Sequence, residues 1–186
     1  MKSIFLVFII IFSVSLSFAF SVMYVSWYDS ELADFKERFE KNVGKTATST
    51  NYMVYLSSSV SEFVELSGLP HWVLAGVRNG KIFLQPLSLH ESLATTLAHE
   101  LTHLELQAYE LDYWIEEGLA CIVAKNWENR TLTPLNDIEG VNPKDLDYYQ
   151  YQNYSYTCWM KVSKLLENGS FSDLLELSRM NKQKLQ

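Results

Sequence analysis

Positive charge is scarce in this chain, with 15 Lys and Arg against 22 Asp and Glu and a formal net charge of −7 over 186 residues. The few cations are scattered, and without a basic patch a nucleic-acid partner is excluded. No internal repeat or low-complexity block occurs, so nothing marks an interaction array, and no stretch marks a prodomain, a specificity pocket or an oligomer interface. Cysteine is almost absent. Cys121 and Cys158 fall in separate helical segments; export would allow a disulfide between them if their Cα atoms came within about 7 Å, and buried free thiols fit equally well. What remains, 48% apolar, is enough for one ordinary domain with a real core once the N-terminal segment is set aside.

Charge is missing altogether between Ser3 and Tyr28, and Ile4 to Phe20 is almost wholly apolar. The run has no polar face, which argues against an ordinary core helix. Lys2 before it, an apolar centre and small residues at Ser17 and Ala19 fit a signal peptide cut after Ala19. Its length also exceeds the roughly 20 residues that span a bilayer, and the apolar character continues to Val25, which favours an uncleaved anchor. Either way Lys2 stays cytoplasmic and the rest is exported. Residues 1–28 are therefore read as a signal anchor or signal peptide and 29–186 as the folded domain.

Along that domain, Leu32, Phe35, Phe39 and Val43 recur at helical spacing, predicting a helix over 30–42 that stops at Gly44. The stretch 46–56 is rich in Thr, Tyr and Val and reads as a strand, followed by a short helix over 59–66. Residues 72–77 and 82–84 flank Asn79-Gly80 and read as a hairpin. Ser88 and Glu91 are spaced as a capping box before a helix striped by Leu93, Leu97, Leu101 and Leu104 that ends near Gln107. Residues 128–149 read as a long loop with a short turn at 135–138. A Tyr-rich helix then covers 148–167, Ser170 caps a last helix, and the polar tail from Met180 frays.

The chemistry is concentrated in His99-Glu100-Leu101-Thr102-His103. Residues four apart on a helix share a face at about 6 Å, the bite a tetrahedral metal wants from two imidazoles about 2.0–2.1 Å away. Glu100 leans to the side of that face, where it could reach a water on the metal. A third ligand must come from another element. Thirteen residues separate His103 from Glu117, and the carboxylate pair Glu116-Glu117 lies on the next helical stretch, Trp114-Ile115-Glu116-Glu117-Gly118-Leu119-Ala120. Two such runs at a workable spacing point to a metal hydrolase. His71 and His90 are read as structural.

Together these two motifs resemble the gluzincin metallopeptidases, above all the peptidase-MA-like proteins. The resemblance implies Zn2+ held by His99, His103 and Glu117, with Glu100 as general base and Glu116 a neighbour. It implies an α+β fold, a small mixed or antiparallel sheet packed on the metal helix and a mainly helical C-terminal half. It also implies that an edge strand, for which Lys81 to Gln85 is the candidate, pairs with an extended peptide or protein substrate. A tyrosine that stabilises the oxyanion is expected near a Ser-Tyr pair; Ser155-Tyr156 matches best, with Tyr151 or Tyr154 reachable by helical offset. Two positions depart from the pattern. Asp112 and Tyr113 stand where a Pro usually precedes the Trp, and Cys121 stands where some gluzincins carry a carboxylate for a ligand His. A backbone carbonyl, Glu116 or Asp112 would have to take that second role. The expectation is a zinc metallopeptidase, exported or held at the membrane; the alternative is a catalytically weak or inactive anchored zinc domain that serves as a binding module.

Overall fold

The computed structural model describes residues 20–47 and 51–184. It is a mixed α+β protein, with six α-helices and one four-stranded sheet among those residues. Among the described residues there are two compact units: the first draws on 20–26 and 51–91, the second on 27–47 and 92–184.

The first unit is the sheet, β1 (Ser21–Val25), β2 (Tyr52–Leu56), β3 (Ala75–Arg78) and β4 (Lys81–Leu84), with α2 (Val60–Ser67) against β4. The strand order is β1-β2-β4-β3. β1 runs antiparallel to β2, pairing Ser21 with Leu56 and Val25 with Tyr52; β2 runs parallel to β4, and β3 closes antiparallel on β4. Asn79 and Gly80 both take positive φ, 52° and 69°, the two-residue turn that suits the twist of a hairpin. Across one face the rings of Phe20 and Tyr55 lie 5.6 Å apart and those of Tyr55 and Phe83 5.1 Å apart, cross-strand pairs of the kind that stabilise sheets. Gln85 donates from Nε2 to the carbonyls of His71 (2.7 Å) and Val73 (2.5 Å), and His90 Nε2 lies 3.1 Å from the Gln85 carbonyl. The His90 ring thus has a structural partner, whereas the His71 contact runs through its main-chain carbonyl.

Two expectations change here. Lys81 to Gln85 is not an edge: β4 is an interior strand, flanked by β2 and β3, and Ile82, Phe83 and Leu84 are buried in succession, as in a strand covered on both faces. Ser21–Val25, within the uncharged run, is a strand paired to β2, so the apolarity there belongs to a sheet strand in which Val25 is buried. The rest of the expected anchor or signal segment, residues 1–19, lies outside the described residues; no helix among those described is long and apolar enough to cross a membrane.

The second unit holds α1 (Ala33–Val43), α3 (Leu93–Leu106), α4 (Tyr113–Ala124), α5 (Tyr148–Asn168) and α6 (Phe171–Lys184). α4 is its axis, packed by α1, α3 and α5. That explains its sequence: Trp114, Ile115, Gly118, Leu119, Ala120, Cys121, Val123 and Ala124 are buried nearly all round, where a surface helix would show one apolar stripe. Gly118 makes the α5 approach possible. A Cβ there would sit 2.4 Å from Val162 Cγ2 and 2.6 Å from the Cys158 carbonyl oxygen. Arg38 on α1 donates from Nε to the Val123 carbonyl at 2.8 Å, satisfying one free carbonyl at the end of α4.

Helix starts differ from the expected ones in detail. Ser88 lies in a 3₁₀ turn, Leu87–Leu89, and the cap of α3 is Ser92, whose Oγ accepts from the Thr95 N–H. Ser170 donates its N–H and its hydroxyl to Asp173 Oδ2, both at 2.7 Å, so here the carboxylate does the accepting. The tail does not fray from Met180. α6 continues to Lys184, with Asn181 Nδ2 donating to Asp112 Oδ2 at 2.9 Å and Lys182 donating to the Glu110 carbonyl. In the loop before α5 the short turn is at Pro143–Asp145, where Asn142 accepts from the Lys144 N–H, and not at 135–138.

Candidate metal centre

α3 presents His99 and His103 one turn apart, and its stripe Leu97, Ala98, Leu101 and Leu106 is buried. After Leu106 a 3₁₀ turn at Gln107–Tyr109 and Glu110 at φ 50° reverse the chain. α4 then starts at Tyr113 and brings Glu116 and Glu117 back to the histidines. Three atoms face one another: His99 Nε2 and His103 Nε2 are 3.1 Å apart, and Glu117 Oε2 lies 3.6 Å from the first and 3.5 Å from the second. Ligands about 2.0–2.1 Å from a metal at tetrahedral angles lie about 3.3 Å from each other. The triangle has the size of one face of that tetrahedron.

The outer ring nitrogens fix which way the imidazoles act. His103 Nδ1 lies 2.6 Å from Glu116 Oε1, and His99 Nδ1 lies 3.2 Å from Asn126 Oδ1. A carboxylate and an amide oxygen only accept, so each Nδ1 carries the hydrogen and each Nε2 turns its lone pair inward. A shared cation satisfies both, so the donors present fit a divalent metal.

The same contacts shift the titrating groups around the triangle. Burial pushes the Glu117 carboxyl up, but His99 and His103 overcome it and hold the group well below the usual carboxylate range. Burial alone would lower His103, yet its hydrogen bonds to Glu116 and Glu117 raise it well above the usual value. Glu100, 6% exposed, is raised by burial, which outweighs the pull of the two histidines.

Family models, curated proteins and solved structures yield no match to this chain. The site is read from its own atoms.

His99, His103 and Glu117 thus come together, with Glu100 on the same helix within electrostatic reach of all three. Glu116 holds the outer nitrogen of His103, the role left open by Cys121. Tyr156 goes elsewhere. It packs with Cys121, Trp127, Leu132 and Trp159 in an apolar cluster, its ring 5.8 Å from that of Trp127 and 5.6 Å from that of Trp159. The tyrosine at the site is Tyr151, whose hydroxyl hydrogen-bonds Glu117 and whose pKa burial drives well above the usual value. Cys121 and Cys158 are buried free thiols; Cys121 Sγ lies 3.6 Å from Glu117 Oε1.

Sequence reasoning missed Asn126, which no motif announces. Lys125 takes φ 56°, the Asn126 N–H returns to the Cys121 carbonyl at 3.1 Å, and this left-handed helix ending carries the Asn126 side chain to His99. It also missed what Ser155 does. Its hydroxyl lies 2.6 Å from Glu117 Oε1.

Proposed function

We propose that this protein is a zinc metallopeptidase that hydrolyses peptide bonds, with zinc held by His99, His103 and Glu117. The observation that carries the reading is the inward triangle of two imidazole nitrogens and one carboxylate oxygen, with separations of 3.1, 3.5 and 3.6 Å, beside the buried Glu100 carboxyl. His99, His103 and Glu117 would hold the ion, which would supply Lewis acidity to polarise a carbonyl and acidify water. Glu100 would take the proton of the attacking water and pass it to the leaving nitrogen. Tyr151, which bonds Glu117, stands nearer the ligand set than Tyr156, which packs in the apolar cluster. The reading carries with it a gluzincin-like arrangement, a peptide or protein substrate and an exported domain, anchored or released according to the fate of residues 1–19.

The test is metal analysis paired with cleavage of a mixed peptide set. The parent is expected to hold one zinc and to lose turnover with a chelator. Glu100→Gln should keep the zinc and lose about 10²–10⁴-fold in rate; parent-like cleavage by this variant would refute the base assignment. His99→Ala should lose the metal, and an unchanged zinc content would refute the site. A parent that holds zinc and cleaves nothing would select the binding-module alternative.

A further inference from the structure

The two oxygens of Glu117 are used differently. Oε2 faces the imidazoles, 3.6 Å from His99 Nε2 and 3.5 Å from His103 Nε2. Oε1 is 2.6 Å from the Ser155 hydroxyl and 3.6 Å from Cys121 Sγ. Tyr151 is a further donor to this carboxylate. Ser155 is 4% exposed and thirty-eight residues along the chain from Glu117.

The direction of the Ser155 bond follows from counting hydrogens. Trp127 Nε1 lies 3.3 Å from Ser155 Oγ, and an indole N–H can only donate. The serine oxygen therefore accepts from Trp127, and its single hydrogen is left for Glu117. Cys121 Sγ, 3.2 Å from the same oxygen, has a second lone pair to donate to. The apolar cluster of Cys121, Trp127, Tyr156, Leu132 and Trp159 keeps water from competing, so this charge-assisted bond acts at low dielectric.

We propose that Ser155 is a positioning residue that makes Glu117 a one-oxygen ligand: its hydroxyl occupies Oε1 and leaves only Oε2 for the ion. The proposal rests on the reading of His99, His103 and Glu117 as a zinc site. A carboxylate free to turn can coordinate through both oxygens, and the second oxygen would take the corner that water and substrate need. Ser155, oriented by Trp127, prevents that turn.

The experiment uses the full chain loaded with cobalt(II) or zinc, as parent, Ser155→Ala and Ser155→Thr. The cobalt visible bands and zinc X-ray absorption both report coordination number. Ser155→Ala is expected to bind one metal per chain with affinity lowered about tenfold or more, weaker cobalt bands and a coordination number one higher. Ser155→Thr, which keeps the hydroxyl, should restore the parent spectrum. Should Ser155→Ala fail to fold, Trp127→Phe removes the orienting N–H and should move the bands in the same direction by less. A metal-loaded Ser155→Ala, or Trp127→Phe in its place, with the parent spectrum and affinity overturns the proposal and leaves the zinc site standing. A parent that binds neither metal overturns both.

Discussion

The outer nitrogen of His103 lies 2.6 Å from Glu116 Oε1 while its inner nitrogen lies 3.5 Å from Glu117 Oε2, so adjacent carboxylates on α4 serve one imidazole from both sides. Consecutive helical residues point about 100° apart, and the ring fills that angle. Glu116→Ala should therefore leave the ligand set intact yet lower zinc affinity by about 10–100-fold, whereas Glu117→Ala should remove the metal altogether. Competition with a chelator of known affinity measures both. Equal losses in the two variants would show that the carboxylates share one role.

Gly118 predicts a loss of both stability and metal. Its missing side chain lets the Cys158 carbonyl and Val162 lie where a methyl would need to be. Gly118→Ala would gain helix propensity but force α4 and α5 apart, for a net cost of about 1–3 kcal/mol. The same separation should draw Ser155 from Glu117 and weaken zinc binding. Urea unfolding with and without chelator reads both effects, and a stabilised variant would contradict the close approach.

Lys125 predicts a gain. A side chain with a Cβ at φ 56° costs roughly 1–2 kcal/mol of backbone strain, and the Lys125 contact with Asp34, 3.4 Å at the surface, is worth little. Lys125→Gly should raise stability by about 0.5–1 kcal/mol after the extra freedom of the unfolded chain is counted. Zinc affinity should hold, since Asn126 keeps its place. A lower urea midpoint would mean that the lysine does more than end the helix.

β1 sets where a soluble chain can begin. A start at Phe20 keeps Ser21–Val25 paired to β2 and Val25 buried; a start at Ser26 removes them. The shorter chain should lose on the order of 2–4 kcal/mol of burial and ladder bonding, or about 4–16 °C in Tm for a protein of this size. Thermal melts of the two chains compare them directly. Equal melting temperatures would show that β1 adds nothing.

Much of this was readable in the residues, and the failures have physical causes. The histidine pair, the second motif and the Asn79-Gly80 turn depend on local geometry, which sequence carries directly. Lys81 to Gln85 was misplaced because an edge was assigned by analogy, while the unbroken apolar run Ile82-Phe83-Leu84 already had the signature of an interior strand. The Ser-Tyr pair points to Tyr156 when it is read along the chain. Ser155 faces Glu117, so the tyrosine to seek was one turn away at 151, not 100° around at 156. The stripe Tyr151, Ser155, Cys158 and Val162 would have indicated that face. Asn126 arrives through a left-handed lysine, and no periodicity encodes such a turn.

The path of the chain between its two units has a consequence for biosynthesis. The polypeptide completes β1, contributes residues 27–47 to the helical unit, returns for the rest of the sheet and leaves it for good after Glu91. The helix carrying Phe39 and Val43 is thus made early, but α3 and α4, which it packs against, emerge from the ribosome some fifty or more residues later. Until then Phe39 has Trp27 beside it but the cover that α3 and α4 supply is missing, and neither unit can be cut out as one uninterrupted fragment.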